Sequence, residues 1–91
     1  MEFEWGDDKA LSNLAKHGVS FEIAWAFDWD RAMFFPDRRF DYGEPRVLAI
    51  GPDSDGEFYS IVFTPRGAKT RIISARRANK REVDKWRAPK P

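Results

Sequence analysis

Three apolar segments separated by two turn sequences dominate the second half of this chain. Residues 46–51 read RVLAIG, residues 58–64 read FYSIVFT, and the sequence PDSDG lies between them. An apolar, β-branched run that meets a turn rich in Pro, Asp and Gly is typical of a β-hairpin. A second turn, Pro-Arg-Gly at residues 65–67, leads into residues 69–75. The pattern predicts an antiparallel sheet in which residues 58–64, the most apolar segment, form the central strand.

Two short helices are predicted in the first third of the chain. Residues 8–17 carry apolar side chains at three- and four-residue spacing and end at Gly18, a residue that readily adopts the left-handed conformation of a helix C-terminus. Either Asp7 or Asp8 stands where a side-chain N-cap belongs. Residues 21–28 follow a serine that can cap a helix, and they contain so few polar side chains that this helix should be largely buried.

The remaining signals complete an α+β order. Residues 2–5 alternate acidic and aromatic side chains, residues 32–35 form an apolar run stopped by proline, and both are predicted as strands. Residues 37–45 are polar and predict a loop. Asn79 with Glu82 three positions later resembles a capping box at the start of a last helix. The predicted architecture is β-α-α-β-β-β-β-α, an antiparallel meander with helices packed mainly on one face, in a single domain of 91 residues.

The charge of the chain is divided unevenly along its length. Residues 66–91 contain ten Lys/Arg and two acids, a net charge of +8, whereas residues 1–65 contain six Lys/Arg and thirteen acids, a net charge of −7. A basic segment that includes a strand, a turn and a helix start suits a polyanion such as RNA or DNA. The alternative interpretation is that these cations only solvate the surface.

Composition excludes several classes of protein. The chain has no cysteine and a single histidine, so neither a disulfide, a thiolate metal site nor a thiol nucleophile is expected, and we predict no metal and no cofactor. No apolar stretch approaches the ~18–20 residues that span a membrane. The acidic N-terminal sequence MEFEWGDD is unlike the basic start of a signal peptide, so the expected location is the cytoplasm.

Two sequence blocks carry a resemblance to a known family. Residues 13–22 (NLAKHGVSFE) and 71–76 (RIISAR), within a match over residues 3–82, resemble the BrnT family of bacterial toxins. The resemblance implies a RelE-like fold and a ribonuclease that arrests growth, as the toxin of a type II toxin–antitoxin pair. It also implies a cognate BrnA-like antitoxin that binds DNA, so that the toxin would meet DNA only through its partner. The aromatic residues Trp25 and Trp29 and the short proline-rich tail depart from the family pattern.

Metal-independent RNA cleavage requires a base for the 2′-OH, cations for the charge that develops on the phosphorane, and an acid for the leaving 5′-oxygen. Arg76 is the first candidate cation, because it closes the last predicted strand inside the best-matched block. A salt bridge to one of the N-terminal acids is the structural alternative. Along that strand, strict alternation predicts that Arg71, Ile73 and Ala75 share one face and Ile72, Ser74 and Arg76 the other.

Further catalytic candidates come from three other places in the chain. Arg46 opens a predicted strand, and Glu44, two positions before it, points to the same face. Glu44 therefore either orients Arg46 or acts as base, and a plain ion pair is equally compatible. Histidine is the residue type most suited to general acid–base chemistry near neutral pH, and His17 is the single histidine of the chain, although a helix-end histidine is more often a cap. The resemblance adds Lys16, because both residues stand in its motif. Tyr42 is a further candidate proton donor or stacking residue.

The basic C-terminal segment supplies the predicted substrate-binding residues, which are Arg66, Arg71, Arg77, Lys80 and Arg81. Two other classes of function remain compatible with the sequence. One is a nucleic-acid-binding module without catalysis, and the other is a protein-interaction adaptor that uses the acidic, aromatic N-terminal half. Growth arrest with loss of RNA on overexpression separates the toxin from both.

Overall fold

The computed structural model of the chain describes residues 1–38 and 43–89. These residues form five strands and three helices in the predicted order. The elements are β1 (Glu2–Glu4), α1 (Asp7–His17), α2 (Ile23–Ala26), β2 (Met33–Pro36), β3 (Val47–Pro52), β4 (Phe58–Arg66), β5 (Lys69–Arg77) and α3 (Lys80–Arg87). None of the helices in this described part of the chain is long and apolar enough to cross a membrane.

The five strands form one sheet in the order β1-β5-β4-β3-β2. Strands β2 to β5 are joined as an antiparallel meander, as predicted, and β4 is the central strand. Strand β1 pairs parallel to β5, with Phe3 opposite Thr70, so the sheet is mixed rather than purely antiparallel. The prediction missed this strand pairing because two strands at opposite ends of a chain leave no turn signal between them.

The two hairpin turns are set by local chemistry. Between β3 and β4, the Asp53 carboxylate accepts hydrogen bonds from the backbone N–H groups of Asp55 and Glu57, both at 2.9 Å. Between β4 and β5, Arg66 pairs with Lys69, so the turn contains only Gly67, with φ of 59°, and the residue after it. A two-residue hairpin turn needs such a positive φ. The strand pairing therefore includes residues 65 and 66 of the predicted turn, the turn itself lies at residues 67 and 68, and β5 runs to residue 77.

Some of the predicted elements extend beyond the described residues. The loop predicted over residues 37–45 includes residues 39–42, among them the candidate Tyr42, which lie outside the described part of the chain. The predicted tail includes residues 90 and 91, which also lie outside it.

Helix α1 lies along the edge of β5 and is held there by a buried asparagine. Asn13 is 7% exposed, its amide donates to the carbonyls of Ala75 at 2.7 Å and Val19 at 3.0 Å, and its carbonyl accepts from the Ala75 N–H at 3.1 Å. The side chain thus pairs with the outer edge of β5 beyond the point where β1 ends. The amphipathic pattern correctly predicted a helix here, but its leucines do not form the buried face: Leu11 is 67% and Leu14 is 47% exposed, whereas Ala10 packs against the hydrophobic core.

The N-terminus of α1 also differs from the prediction. The N-cap residue is Gly6, which has no side chain to cap the helix, and Asp7 and Asp8 occupy the first turn. Carboxylates there still favour the helix, because they lie near the positive end of its dipole. The C-terminal prediction is confirmed: Gly18 has φ of 70° and its N–H donates to the Leu14 carbonyl at 2.8 Å.

Replacement of Asn13 by alanine is expected to lower the free energy of unfolding by about 2 kcal/mol, because buried backbone groups of Ala75 and Val19 lose their partners. Thermal denaturation should show a melting temperature roughly 8–16 °C lower. Ser12→Ala, at the exposed preceding position of the same helix, is the matched control. Equal melting temperatures of the two variants would contradict the edge-pairing role of Asn13.

The main core lies between one face of the sheet and residues 19–27. Its apolar side chains are no more than 9% exposed, so their burial is the main source of stability. They are Val19, Phe21, Ala24, Phe27, Ala49, Tyr59, Ile61, Ile72 and Ala75.

The second helix is shorter and more exposed than predicted. It spans Ile23–Ala26, and the Ser20 hydroxyl accepts a hydrogen bond from the Glu22 N–H at 3.1 Å just before it. Trp25 is 62% exposed, so the helix is not largely buried. The Trp25 and Phe3 rings meet edge to face, with the ring centroids 4.7 Å apart.

The last helix begins with the predicted capping box. The Asn79 side chain accepts from the Glu82 N–H at 2.9 Å, and the Glu82 carboxylate accepts from the Asn79 N–H at 3.0 Å. The helix contacts the face of the sheet opposite the main core, where Trp86 lies against Phe58 with the ring centroids 5.0 Å apart. The prediction that the helices pack mainly on one face is therefore corrected.

A β-bulge changes the faces of β5. The register between β4 and β5 shifts between Val62 and Phe63, so that Val62 pairs with Ser74 and Phe63 pairs with Ile72. A bulge puts two residues of one strand opposite one residue of its partner, and strict alternation stops there. As a result Ile72 and Ala75 both belong to the main core, and the alternation predicted along residues 71–76 is wrong.

Candidate active site

A cavity of about 570 Å³ opens on the face of the sheet that also carries α3. Its walls come from α1, the end of β2 with the two residues that follow it, and the residue before β3. The floor consists of strand side chains that point away from the main core. These are Leu48, Ser60, Val62, Ile73, Ser74 and Arg76.

The cavity, called the basic cavity below, collects cations that are far apart in the sequence. Within the described part of the chain its lining includes a single carboxylate, Asp37. Such a concentration of one sign of charge in a concave site attracts an anion. The basic residues that line it are Lys9, Lys16, His17, Arg38, Arg46 and Arg76.

Arg76 projects from the end of β5 and is held by a carboxylate of α3. Its Nη1 lies 2.7 Å from Oε1 of Glu82, and its Nη2 lies 2.9 Å from Oε2, a two-pronged ion pair. The Arg76 side chain is 37% exposed and that of Glu82 is 12% exposed. Partial burial acts to raise the pKa of the Glu82 carboxyl, but hydrogen bonds from Arg76 and the Asn79 N–H outweigh it and hold that pKa below its ordinary value.

Arg46 is held by the carboxylate predicted to accompany it. Its Nε lies 3.2 Å from Oε2 of Glu44, and the other oxygen of Glu44 lies 3.4 Å from Nη2 of Arg66. Because each oxygen of Glu44 faces an arginine, the geometry favours an orienting carboxylate over a base. Arg46 is 19% exposed and lines the basic cavity, whereas Arg66 is 53% exposed and does not.

The helix anchor at Asn13 determines which side chains of α1 reach the basic cavity. Lys9, Asn13 and Lys16 follow one another at four- and three-residue spacing, so they lie on one face of the helix. Since Asn13 is bonded to β5, the same face brings Lys9, Lys16 and the neighbouring His17 to the cavity. The arrangement places one imidazole and several cations in the same cavity. Binding of a phosphodiester would use the cations, and its cleavage would use a group that moves a proton.

Comparison with known proteins identifies the family. A family model described as the ribonuclease toxin BrnT of a type II toxin–antitoxin system matches residues 5–82. The chain belongs to the BrnT family. All six basic residues of the basic cavity and the capping residue Glu82 lie inside the matched range.

A solved structure of the BrnT family is similar over nearly the whole chain. The crystal structure of the Brucella abortus ribonuclease toxin BrnT, at 1.1 Å resolution, is 29% identical in sequence, with a TM-score of 0.70. The alignment covers 88% of this chain and 99% of that chain. No curated protein sequence matches this chain significantly. Membership of a type II toxin–antitoxin family implies an RNA target and an antitoxin partner.

Four of the five predicted catalytic residues line the basic cavity, and the fifth supports one of them. Arg76, Arg46, Lys16 and His17 come together there, although they belong to three separate elements or connections. Glu44 is bonded to Arg46 but does not itself line the cavity. Their catalytic roles in this BrnT-family chain stay predictions.

The predicted substrate-binding residues lie outside the lining of the basic cavity, and most face acids elsewhere. Arg71 Nη1 lies 2.7 Å from Glu4, Arg77 Nη1 lies 2.7 Å from Glu57, and Lys80 Nζ lies 2.7 Å from Asp84. Arg66 faces Glu44, and Arg81 is exposed on α3. A contribution to RNA binding by these five residues stays a prediction.

The residues of this region that the sequence interpretation missed include Lys9, Arg38, Ser60 and Glu82. Ser60 lies opposite Arg76 on β4, and its buried Oγ has no hydrogen-bond partner among the described residues, although it lies close enough to help lower the pKa of the Glu82 carboxyl. Lys9 was detectable, because its helical spacing to Lys16 was visible in the sequence. Arg38, Ser60 and Glu82 carried no comparable local signal toward the site.

Proposed function

We propose that this BrnT-family toxin cleaves cellular RNA in the basic cavity, by attack of a ribose 2′-OH on the adjacent phosphate. The observation that carries the proposal is that Lys9, Lys16, Arg38, Arg46 and Arg76 line one cavity together with a single histidine. An RNA phosphate brings the negative charge that such a cavity attracts, and the 2′-OH brings the nucleophile.

The side chains of the basic cavity are suited to different parts of the cleavage reaction. Arg76 and Arg46 are the groups suited to the developing phosphorane charge, because a planar guanidinium binds two phosphate oxygens and each is oriented by a carboxylate. His17 is the residue suited to move a proton near neutral pH, either from the 2′-OH or to the leaving 5′-oxygen. Lys16 adds a fixed positive charge beside it.

Cleavage is expected to proceed unchanged when divalent metals are removed. The chain has one histidine and no cysteine, and within residues 1–38 and 43–89 no three His, Asp or Glu side chains form a group that would hold a metal ion. The measurement is the rate of cleavage of a labelled RNA by the purified protein with and without EDTA. The products should end in a 2′,3′-cyclic phosphate or a 3′-phosphate.

Abolition of cleavage by EDTA together with recovery on addition of magnesium would overturn the mechanism but not the ribonuclease activity. RNA that is bound but never cut would instead support the alternative of a nucleic-acid-binding module. If the protein neither binds nor cleaves RNA, the remaining alternative is the protein-interaction adaptor.

We also propose that RNA cleavage by this protein arrests cell growth. Expression of the toxin in the cytoplasm should arrest growth with loss of RNA, and co-expression of a BrnA-like antitoxin that binds DNA should prevent it. The relation to RelE-like toxins that the sequence resemblance implies stays a prediction.

A further inference from the structure

We propose that Glu82 is a positioning residue of this toxin, which acts on the reaction only by holding the Arg76 guanidinium in the basic cavity. The inference rests on the proposed ribonuclease function and adds to it a residue of α3, an element that does not itself line the cavity.

The geometry of the ion pair is directional. Both oxygens of Glu82 accept from the two terminal nitrogens of Arg76, at 2.7 and 2.9 Å, and Nη1 also donates to the Arg77 carbonyl at 3.3 Å. A fork-to-fork contact of this kind defines the plane of the guanidinium as well as its distance. The Glu82 side chain is 12% exposed, so the contact is better shielded from water than an ordinary surface pair.

The carboxylate is itself held in place by the start of α3. The capping box fixes the Glu82 backbone and side chain to Asn79, and the far end of the helix is fixed where the Trp86 Nε1 donates to the Arg31 carbonyl at 2.8 Å. Glu82 is thus held in a defined position. Its contact restricts the conformations of the more exposed Arg76 side chain, which has several rotatable bonds.

Electrostatic repulsion within the cavity explains why Arg76 needs the contact with Glu82. The basic cavity also contains Lys9, Lys16, Arg38 and Arg46, and these like charges repel the Arg76 guanidinium. The Glu82 carboxylate offsets this repulsion through its two contacts with the guanidinium. A displacement of about 1 Å of a catalytic group costs up to about 100-fold in rate.

The test is kinetic and uses a double variant. Glu82→Gln keeps one acceptor oxygen but loses the charge and the second prong, and its kcat is expected to fall about 10- to 100-fold while KM changes less than about threefold. In the Arg76→Ala background, the same substitution should change kcat less than about threefold, because the residue it positions is already absent. Equal fold-losses in both backgrounds would show that Glu82 acts independently and would overturn the proposal.

A matched control separates positioning from the loss of a carboxylate charge on α3. Asp84→Asn removes one charge from the same helix, where Asp84 pairs with Lys80 at 2.7 Å and is 59% exposed, so its kcat should stay within about threefold of the wild type. A loss in Asp84→Asn as large as in Glu82→Gln would assign the effect to the charge of the helix and overturn the proposal.

A second readout does not depend on RNA cleavage. The side-chain Nε–H signal of Arg76, assigned by its absence in Arg76→Lys, should report an ordered group by ¹⁵N relaxation in the wild type and in Asp84→Asn, and a mobile group in Glu82→Gln. An Arg76 signal equally ordered in Glu82→Gln would overturn the proposal. Absence of ribonuclease activity in the wild-type protein would remove the proposed function, and the relaxation measurement would still decide whether Glu82 positions Arg76.

Discussion

Replacement of Arg76 by alanine is expected to slow RNA cleavage about 100- to 1000-fold, because a preorganised cation at a developing phosphorane charge contributes roughly 3–4 kcal/mol. The guanidinium lies at the end of β5 and lines the basic cavity, outside the main core. The variant should therefore remain folded by circular dichroism, and growth arrest on overexpression should be largely lost.

Two further variants sharpen this prediction. Arg76→Lys should recover only part of the rate, because a point charge reproduces neither a bidentate contact with phosphate nor the two-pronged pair with Glu82. Lys69→Ala removes an equal charge from the exposed opposite end of the same strand and should leave the rate within a few-fold. A folded Arg76→Ala protein with wild-type potency would exclude Arg76 from the site, and an equal loss in Lys69→Ala would point to net charge alone.

Charge reversal at Arg76, Arg77 and Arg81 together is expected to slow association with the antitoxin about 10- to 100-fold at low salt. An antitoxin that covers the substrate face would supply carboxylates where phosphates otherwise bind, and steering by opposite charges weakens as salt rises. The measurement is the association rate constant at several salt concentrations. A stable contact should bury at least about 1,200 Å² in total.

The acidic, aromatic surface around Trp25 is the rival docking surface. Trp25→Ala is the suitable variant there, because Trp25 is 62% exposed, whereas Trp29 donates from its Nε1 to the Ala24 carbonyl at 2.9 Å and packs against the main core. If Trp25→Ala abolishes association while the charge-reversed protein associates at the normal rate, the antitoxin does not dock on the basic face.

Element order and turns were predictable because their signals are local. A capping box spans four residues, the Gly18 C-terminus is defined within one helix turn, and the Asp53 turn forms its hydrogen bonds within five residues. The resemblance added a confirmed family, because its two best-matched blocks lie inside the range that the family model matches.

The candidate site was predictable only in part. Arg76 and Arg46 were found from strand ends, and the resemblance drew attention to Lys16 and His17. The charge count, however, pointed to the last 26 residues, and among their cations only Arg76 contributes to the described lining of the basic cavity. Most cavity cations come from the segment with net charge −7, because folding groups side chains by position in space and not by position in the chain.

The sequence by itself determined the alternation of strands and helices, the turns between them and the family. Tertiary structure decided which edge each element occupies. Asn13 completes the edge of β5 across 62 positions, β1 pairs parallel with the same strand, and Glu82 rather than an N-terminal acid holds Arg76. The reason is physical: a backbone edge and a guanidinium each take the partner that the packed fold brings within hydrogen-bond distance, and no local sequence pattern encodes that distance.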